Sequence, residues 1–263
     1  MNSIITVPAF SDNYIWLVCD DKQEKAAIVD PGDAKPVIAA LKKNNITPAA
    51  ILITHFHNDH VGGIADLLAE YPSLPVYGPH SERIPHITTK LSGEENIRIE
   101  EIDAEFKVMN VYGHTSGHIA YFTNDGEQNR LFCGDTIFAA GCGRVFNGTM
   151  EQLHDSLAKI AELPEDTLLY CAHEYTMANI GFAKWVEPES ADLLAREQTA
   201  QAMRDKNIQT VPSLLSLEKS TNPFLRTHLD HVVEKVAAST GKTLNNSTEV
   251  FTAMRMWKDT EYD

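Results

Sequence analysis

Short apolar runs alternate with amphipathic stretches through the first part of the chain, and polar or glycine-containing turns separate them. Runs of four to seven residues that are rich in β-branched and aromatic side chains predict strands. Such runs occur at 14–19, 26–29, 49–53, around 76, and at 106–112, 119–122, 130–133 and 168–171. The stretch Asn124-Asp125-Gly126 predicts a hairpin turn between two of them. Strands interspersed with helices favour an α/β fold.

Two helices in this region carry start signals. Asp33 is placed as the N-cap of a helix over 34–43. The pair Thr149 and Gln152 fits a capping box, which opens a helix that Pro164 ends. A third helix is predicted over about 62–70, directly after a glycine pair.

The pattern changes near residue 175, after which no strand is predicted. Helical stretches are expected instead, and the longest loop between them is placed at 207–223. These helices are expected near 175–186, 190–206, 227–239 and 247–258. We therefore expect two domains, an α/β domain over 1–174 and a smaller all-helical domain over 175–263.

Composition narrows the class of protein. The chain has 263 residues, of which 43% are hydrophobic, enough for one large core or for one ordinary and one small domain. With 22 Lys and Arg against 37 Asp and Glu, the net charge of −15 argues against nucleic acid or an anionic membrane as a partner. The cysteines form no CxxC pair and no disulfide framework. No positive leader region or membrane-length apolar run is seen, so a cytoplasmic location is expected.

A histidine-rich turn follows the apolar run at 49–53 and carries the clearest chemistry. It contains His55, His57, Asp59 and His60. Imidazole and carboxylate together suit zinc, iron or manganese. His55 and His57 can point to one side of an extended turn, while Asp59 and His60 can reach a second position, which suggests two adjacent metals. The alternative is a histidine-rich surface loop without ligands.

Three further predicted strands end in a common pattern. In each, an apolar run is followed by a small residue and then by a candidate ligand. These ligands are His114, Asp135 and His173, which follow Gly113, Gly134 and Ala172. Small residues let the backbone approach a crowded site. Each residue alone is ordinary in a turn, but the recurrence favours one shared metal site. By contrast, His80 and His86 are interpreted as surface histidines, and residues 80–105 resist assignment.

These segments resemble a known family. The run 55–60 matches the HxHxDH motif of the metallo-β-lactamase superfamily, and within it the chain is similar to the hydroxyacylglutathione hydrolases, or glyoxalase II. The narrower resemblance covers essentially the whole chain and is carried by 113–118, 134–136, 141–144, 172–176 and 222–226. It implies an αββα metallo-β-lactamase sandwich with a smaller C-terminal helical domain. On this resemblance, 1–174 is expected to be the catalytic domain and 175–263 the substrate-binding domain.

The resemblance also implies the roles of individual residues. One metal is expected on His55, His57 and His114, and a second on Asp59, His60 and His173. Asp135 is expected to bridge the two metals. His118 is expected to pack near the site without being a ligand. Two divalent ions are implied, zinc first, with iron or manganese as alternatives.

Recognition of the substrate is implied for a further set of residues. The glutathione site is expected to contain Arg144, Phe146, Tyr175, Arg255 and Lys258. The family often has tyrosine where Phe146 stands, so one hydrogen bond to the thiol portion is in doubt. Without the resemblance, Arg255 and Lys258 would be read as a solvated helix face.

The implied reaction is hydrolysis of S-2-hydroxyacylglutathione thioesters, such as S-D-lactoylglutathione to glutathione and D-lactate, in the second step of methylglyoxal detoxification. A hydroxide bridging two metals would attack, since a metal pair lowers the pKa of water from about 15.7 toward about 7. Asp59 and Asp135 are the predicted catalytic carboxylates. A thiol leaves readily as thiolate. A monomer acting on a small-molecule thioester is expected.

Other functions remain open at this point. A β-lactamase, a lactonase or a one-iron persulfide dioxygenase would use the same superfamily motif. A metal-binding scaffold without turnover is a further alternative, although structural sites are normally closed by four ligands.

Overall fold

A computed structural model describes residues 3–262. The strands in this range are β1 Ile4–Ala9, β2 Asn13–Cys19, β3 Lys25–Val29, β4 Thr47–Leu52, β5 Val76–Pro79, β6 Thr89–Leu91, β7 Asn96–Ile99, β8 Ala104–Asn110, β9 Ile119–Asn124, β10 Asn129–Gly134, β11 Ile137–Phe138, β12 Gly141–Cys142, β13 Leu168–Cys171 and β14 Ser213–Leu214. The α-helices are α1 Ala34–Asn44, α2 Asn58–Val61, α3 Ile64–Glu70, α4 Met150–Ala161, α5 Thr176–Val186, α6 Ala191–Arg204, α7 Leu215–Thr221, α8 Asp230–Thr240 and α9 Ser247–Trp257. Short 3-10 turns cover Glu100–Ile102 and Pro223–Leu225, and a π-helical turn covers Lys258–Tyr262.

Two six-stranded sheets pack face to face. The first has the order β1-β2-β3-β4-β5-β6, and the second has the order β14-β13-β10-β9-β8-β7. Strand β2 shows why both faces of the first sheet are covered, because Trp16 belongs to the core shared with the second sheet and Leu17 to the core shared with α1 and α3. Side chains alternate along a strand, so a continuous apolar run indicates burial on both faces. With α4 and α9 joined to the core of the second sheet, the predicted αββα sandwich is confirmed.

The predicted helix starts in the sandwich are present. The Asp33 side chain accepts from the backbone N–H of Lys35 and begins α1. Thr149 and Gln152 form both halves of a capping box at α4. The helix expected from residue 62 begins at Ile64, because the short α2 and a glycine pair precede it.

A close approach of two loops brings the histidine-rich turn against the end of β3. A Cβ at Gly32 would lie 1.8 Å from the carbonyl oxygen of Asp59, so any side chain there would displace the turn. Glycine therefore lets these two chain segments touch.

The C-terminal region differs from expectation in two places. The prediction of no strand after residue 175 was wrong, since β14 pairs antiparallel with β13. The predicted loop over 207–223 was also wrong in part, because it contains α7. A two-residue edge strand and a seven-residue helix are too short for a period in the sequence to reveal them.

The other expected helices are present as α5, α6, α8 and α9. The boundary predicted at residue 174 falls between β13 and α5, although β14 extends the second sheet with residues from beyond it. Residues 80–105, which had no assignment, contain β6, β7 and a 3-10 turn, and both His80 and His86 are exposed. Within residues 3–262, no helix combines the length and apolarity needed to cross a bilayer.

Candidate metal centre

The seven predicted ligands converge at one edge of the sandwich. His55 and His57 follow β4, and the first turn of α2 carries Asp59 and His60. The other three follow different strands of the second sheet, namely His114 after β8, Asp135 after β10 and His173 after β13. Strand ends at one edge of an α/β fold are where ligands commonly gather.

Three imidazoles and one carboxylate form a first group. His57 Nδ1 lies 3.0 Å from His55 Nε2 and 3.0 Å from His114 Nε2. Asp135 Oδ2 lies 3.5 Å from His114 Nε2. One ligand atom from each of these four residues falls within 4.8 Å of all the others.

A second group lies on the other side of Asp135. Asp59 Oδ2 is 3.5 Å from His60 Nε2 and 3.3 Å from His173 Nε2. Asp135 also reaches this group, with Oδ1 at 3.4 Å from His60 Nε2 and Oδ2 at 3.4 Å from His173 Nε2. The Asp135 carboxylate thus contacts histidines of both groups.

Hydrogen bonds on the outer ring nitrogens orient two histidines of the second group. His60 Nδ1 lies 3.0 Å from Asp30 Oδ2, and His173 Nδ1 lies 2.7 Å from Asp12 Oδ1. A carboxylate accepts, so each Nδ1 donates, and Nε2 is the nitrogen that carries the lone pair once the ring is neutral. Such outer contacts fix the tautomer that a metal requires.

The first group is oriented in the same way. His114 Nδ1 donates to the carbonyl oxygen of Arg144 at 2.8 Å. Thr54 Oγ1 donates to Asp30 at 2.7 Å, so it accepts from His55 Nδ1 at 3.0 Å. The Nε2 lone pairs of His55 and His114 consequently face inward, toward His57 Nδ1.

The donor atoms fit divalent metal binding. Among the described residues, His60 Nε2 and Asp135 Oδ1 are buried without a hydrogen-bond partner. Buried polar atoms are nearly always satisfied, so this pair calls for a ligand between them. Five imidazoles and two carboxylates form a mixed nitrogen and oxygen set that suits zinc, iron or manganese.

Protonation in this cluster depends on burial and on the carboxylates. Burial lowers the pKa of His55 and His57 and brings the pKa of His114 to about 4, which keeps these rings neutral near pH 7. For His173, burial also lowers the pKa, but Asp135 and Asp59 outweigh it and raise it to about 10. A cation that binds there must displace protons.

His118 lies behind the first group. Its ring is buried and stacks on His55, with centroids 4.6 Å apart, and its Nε2 accepts from the backbone N–H of Asp135 at 3.1 Å. It therefore joins the turn after β4 to the turn after β10.

A cavity of about 540 Å³ opens above the two groups. Five of the seven ligands line its floor, namely His57, Asp59, His114, Asp135 and His173, and all five residues predicted for substrate binding line its walls. These wall residues are Arg144, Phe146, Tyr175, Arg255 and Lys258.

The two aromatic wall residues pack against ligand histidines. Tyr175 stacks parallel to His173, with centroids 4.6 Å apart and an angle of 6°. Phe146 meets His57 edge-on at 4.8 Å, yet its side chain is 64% exposed. Both rings offer apolar area to a bound molecule.

The cationic wall is built largely from buried groups. Arg255 is 0% exposed, donates to the carbonyl oxygen of Cys142 at 3.1 Å and to Asp259 at 2.8 Å, and lies over the ring of Phe224. Lys258 is buried as well. The alternative of a solvated helix face is thus wrong for both residues.

Several side chains that touch this centre escaped sequence reasoning. Asp30 groups with His55 and His60, Asp12 holds His173, and Asn13 Nδ2 donates to Asp59 Oδ2 at 3.0 Å. The position of Asp30 in the sequence could have indicated its role, because it directly follows a buried strand.

Comparison with known proteins agrees with this geometry. Residues 9–173 match the metallo-beta-lactamase superfamily, and residues 174–261 match the hydroxyacylglutathione hydrolase C-terminus. Curated relatives named hydroxyacylglutathione hydrolase are 48% identical in both Nitrosomonas eutropha and Alkalilimnicola ehrlichii, each match covering 98% of this chain and 99% of the relative.

Among solved structures, the BLEG-1 B3 metallo-beta-lactamase is similar with a TM-score of 0.64. It is 24% identical, and the match covers 85% of this chain and 99% of that chain. At this identity, the likeness concerns the fold.

Proposed function

The chain belongs to the hydroxyacylglutathione hydrolase family of the metallo-β-lactamase superfamily, and from this premise we propose that it hydrolyses S-2-hydroxyacylglutathione thioesters. S-D-lactoylglutathione is the substrate we assign, with glutathione and D-lactate as products in the second step of methylglyoxal detoxification. One observation carries the proposal. The seven proposed ligands meet in one cluster, five of them line the floor of a cavity, and the wall of that cavity is cationic, with Arg255 and Lys258 from the C-terminal region.

Two divalent cations fit the donor set. His55, His57 and His114 would hold one, Asp59, His60 and His173 the other, and Asp135 both. The contacts of Asp135 with histidines of both groups support this division. When bound, the cations would make a water acidic enough to ionise near neutral pH and would polarise a carbonyl oxygen. Zinc is the proposed metal, with iron and manganese as alternatives that the same donors accept.

The protein's own residues prepare the reaction. Asp59 lines the cavity, and Asn13 holds one of its carboxylate oxygens, so Asp59 can orient a water toward a substrate carbonyl. Buried outer partners such as Asp30 keep the histidine rings from turning. This rigidity is the preorganisation that hydrolysis needs.

The glutathione portion requires cations because it carries two carboxylates. Arg144, Arg255 and Lys258 lie along one wall of the cavity and offer them. Arg255 and Arg144 both approach Asp259, at 2.8 and 3.6 Å, so a substrate carboxylate would meet a prearranged array. The cavity is therefore suited to an anionic thiol carrier, and glutathione is the carrier we assign.

The thiol leaving group lowers the demand for a general acid. A thiol of pKa near about 8.5 departs as thiolate more easily than an amine departs from an amide. Asp59 and Asp135 can therefore support the hydrolysis without a further acidic residue to protonate the leaving group. The proposed reaction also needs no catalytic triad of serine, histidine and aspartate.

The direct test measures S-D-lactoylglutathione hydrolysis by the purified protein together with its metal content. We expect turnover that a chelator abolishes and that added zinc restores, at about two metal ions per chain. A β-lactam substrate, a lactone and oxygen uptake with glutathione persulfide are run in parallel. Turnover of one of these with no thioester hydrolysis would overturn the proposal, as would metal binding without any turnover.

A further inference from the structure

A short hairpin forms part of the wall of the cavity above the metal centre, and none of the seven proposed metal ligands belongs to it. It comprises residues 138–142, which connect β11 and β12, and is here called the wall loop. Phe138 and Cys142 at its two ends line the cavity. Between them Ala140 has a φ of 59°, in the left-handed region that disfavours a side chain.

Buried side chains from the C-terminal region hold the backbone of this loop, and among them Asn179 of α5 donates from Nδ2 to the carbonyl oxygen of Ala139 at 3.1 Å. Glu218 Oε2 accepts from the backbone N–H of Ala140 at 2.8 Å. Asn222 Nδ2 donates to the carbonyl oxygens of Gly141 at 2.9 Å and Phe138 at 3.3 Å. Both Glu218 and Asn222 are 0% exposed. The loop is thus bonded at three backbone positions to one end of α7.

Glu218 and Asn222 are themselves held by hydrogen bonds to residues outside the wall loop. Arg196 from α6 and Ser213 from β14 both bond the second carboxylate oxygen of Glu218. Asn222 Oδ1 accepts from the backbone N–H of Phe224 at 3.1 Å, and its amide donates to Glu218 at 3.1 Å. Every polar atom of this pair therefore has a partner, which gives a rigid mount.

The wall loop in turn positions two residues of the proposed substrate site. The Phe138 ring packs edge-on against Tyr175, with centroids 5.3 Å apart. The carbonyl oxygen of Cys142 accepts from Arg255 at 3.1 Å. A shift of the loop would move the aromatic wall and the cationic wall together.

We propose that Glu218 and Asn222 are positioning residues for substrate binding, which act by clamping the wall loop so that Tyr175 and Arg255 face the thioester's glutathione portion. This inference rests on the proposed function. The clamp bonds the substrate wall and none of the seven proposed ligands, so its loss should affect substrate affinity before it affects metal content or the chemical step.

The test compares three variants with the parent. Asn222→Ala removes both bonds to the loop carbonyls. Thr167→Val is the matched control, because Thr167 is equally buried and its hydroxyl donates to the carbonyl oxygen of Pro164, away from the loop and from the residues that hold Glu218. Adding Ala140→Gly to Asn222→Ala supplies a residue that adopts the left-handed conformation without steric cost.

For Asn222→Ala we expect KM for S-D-lactoylglutathione to rise about tenfold, the loss expected for two buried hydrogen bonds, with kcat within about twofold and metal content unchanged. Thr167→Val should leave KM within about twofold, and Ala140→Gly should restore part of the lost affinity. An unchanged KM in Asn222→Ala overturns the proposal. So does an equal rise in Thr167→Val, or a fall in kcat that tracks metal loss.

Glu218→Gln is measured alongside, since it preserves volume if Asn222→Ala fails to fold. Hydrogen exchange at the Ala140 amide and the Kd for glutathione itself are read in both variants. Faster exchange together with weaker glutathione binding in either variant supports the clamp, whereas exchange and glutathione binding that are unchanged in both variants overturn it. These two readouts need no turnover. A parent protein that does not cleave the thioester would therefore refute the proposed function separately from the clamp.

Discussion

The imidazole of His60 donates through Nδ1 to Oδ2 of Asp30, at 3.0 Å, although the two residues lie thirty positions apart in the chain. Both are buried, and Asp30 also accepts from the backbone and hydroxyl of Thr54. One acid thus orients the inner nitrogens of His60 directly and of His55 through Thr54.

Asp30→Asn should weaken metal binding, because it disturbs the outer contacts of two ligands at once. A loss of about 10- to 100-fold in metal affinity is expected for an outer partner of a ligating histidine. Competition with a chromophoric chelator measures it. Asp33→Asn is the control, since asparagine caps α1 as well as aspartate does. Equal affinity in the parent and Asp30→Asn would contradict the orienting role.

Asp135→Asn should impair both metal sites, since the Asp135 carboxylate contacts histidines of each group. Loss of an outer partner of a metal ligand already costs about 10- to 100-fold in metal affinity or activity, so loss of a ligand itself should lower kcat by at least that much, with lower metal content. Elemental analysis and thioester hydrolysis are the two measurements. Asp66→Asn, on the exposed face of α3, serves as the control. A metal-loaded Asp135→Asn protein as fast as the parent would refute the assignment.

Replacing Arg255 and Lys258 together with alanine should raise KM for the glutathione thioester at least about tenfold while metal content stays unchanged. The expected size follows from the strength of charge-assisted hydrogen bonds. Because Arg255 is buried over Phe224, thermal unfolding is measured in parallel to separate lost packing from lost recognition. Lys235→Ala, exposed on α8, is the control for net charge. If KM does not move, these cations do not bind the substrate.

Phe146→Tyr should lower KM about two- to fivefold, the range that one added hydrogen bond supplies. The ring is largely exposed, so a hydroxyl can be added without a clash. Its edge contact with His57 should persist, which predicts an unchanged metal content. A KM that rises or stays constant would indicate that the hydroxyl finds no partner on the tripeptide.

Stability at low pH should depend on the hairpin pair of Asp125 and Arg130, whose side chains are 2.7 Å apart. Burial raises the pKa of Asp125, but the bonds from Arg130 and from neighbouring amides outweigh it and lower the pKa from 3.8 to about 2. The folded pKa is depressed, so the stabilisation is full above about pH 4 and is lost as the pH falls toward about 2.

The measurement compares the free energy of unfolding of Asp125→Asn with that of the parent across this range. The variant should be less stable by about 1–2 kcal/mol at pH 6, and the difference should shrink below about pH 4. Glu127→Gln, in the same turn, should show no such convergence. A gap that is constant down to about pH 2 would show that the ion pair is not its source.

Much of the fold and of the metal centre could be read from local patterns. The run 49–53 predicted a strand because burial on both faces leaves no polar position, and β4 occupies it. The candidate ligands were found because the turn that carries them follows such a run in each case. The N-cap at Asp33 and the capping box at Thr149 each depend on residues within three positions of one another, so they too were predicted.

Other features left no local trace. Strand β14 has two residues and exists because β13 offers it a partner. Asp30 contacts His60, and Glu218 contacts Ala140, across long distances in the chain. The residue types at these positions do not by themselves predict that the two members of each pair will meet.

The order of residues therefore specified which side chains end the strands, since hydrophobic period and turn chemistry act over a few neighbouring positions. Folding specified which of them share a cavity, how each imidazole is turned and which helix braces the wall beside it. Those relationships arise when two sheets and the C-terminal helices pack, because burial then forces every polar group to find a partner across the chain.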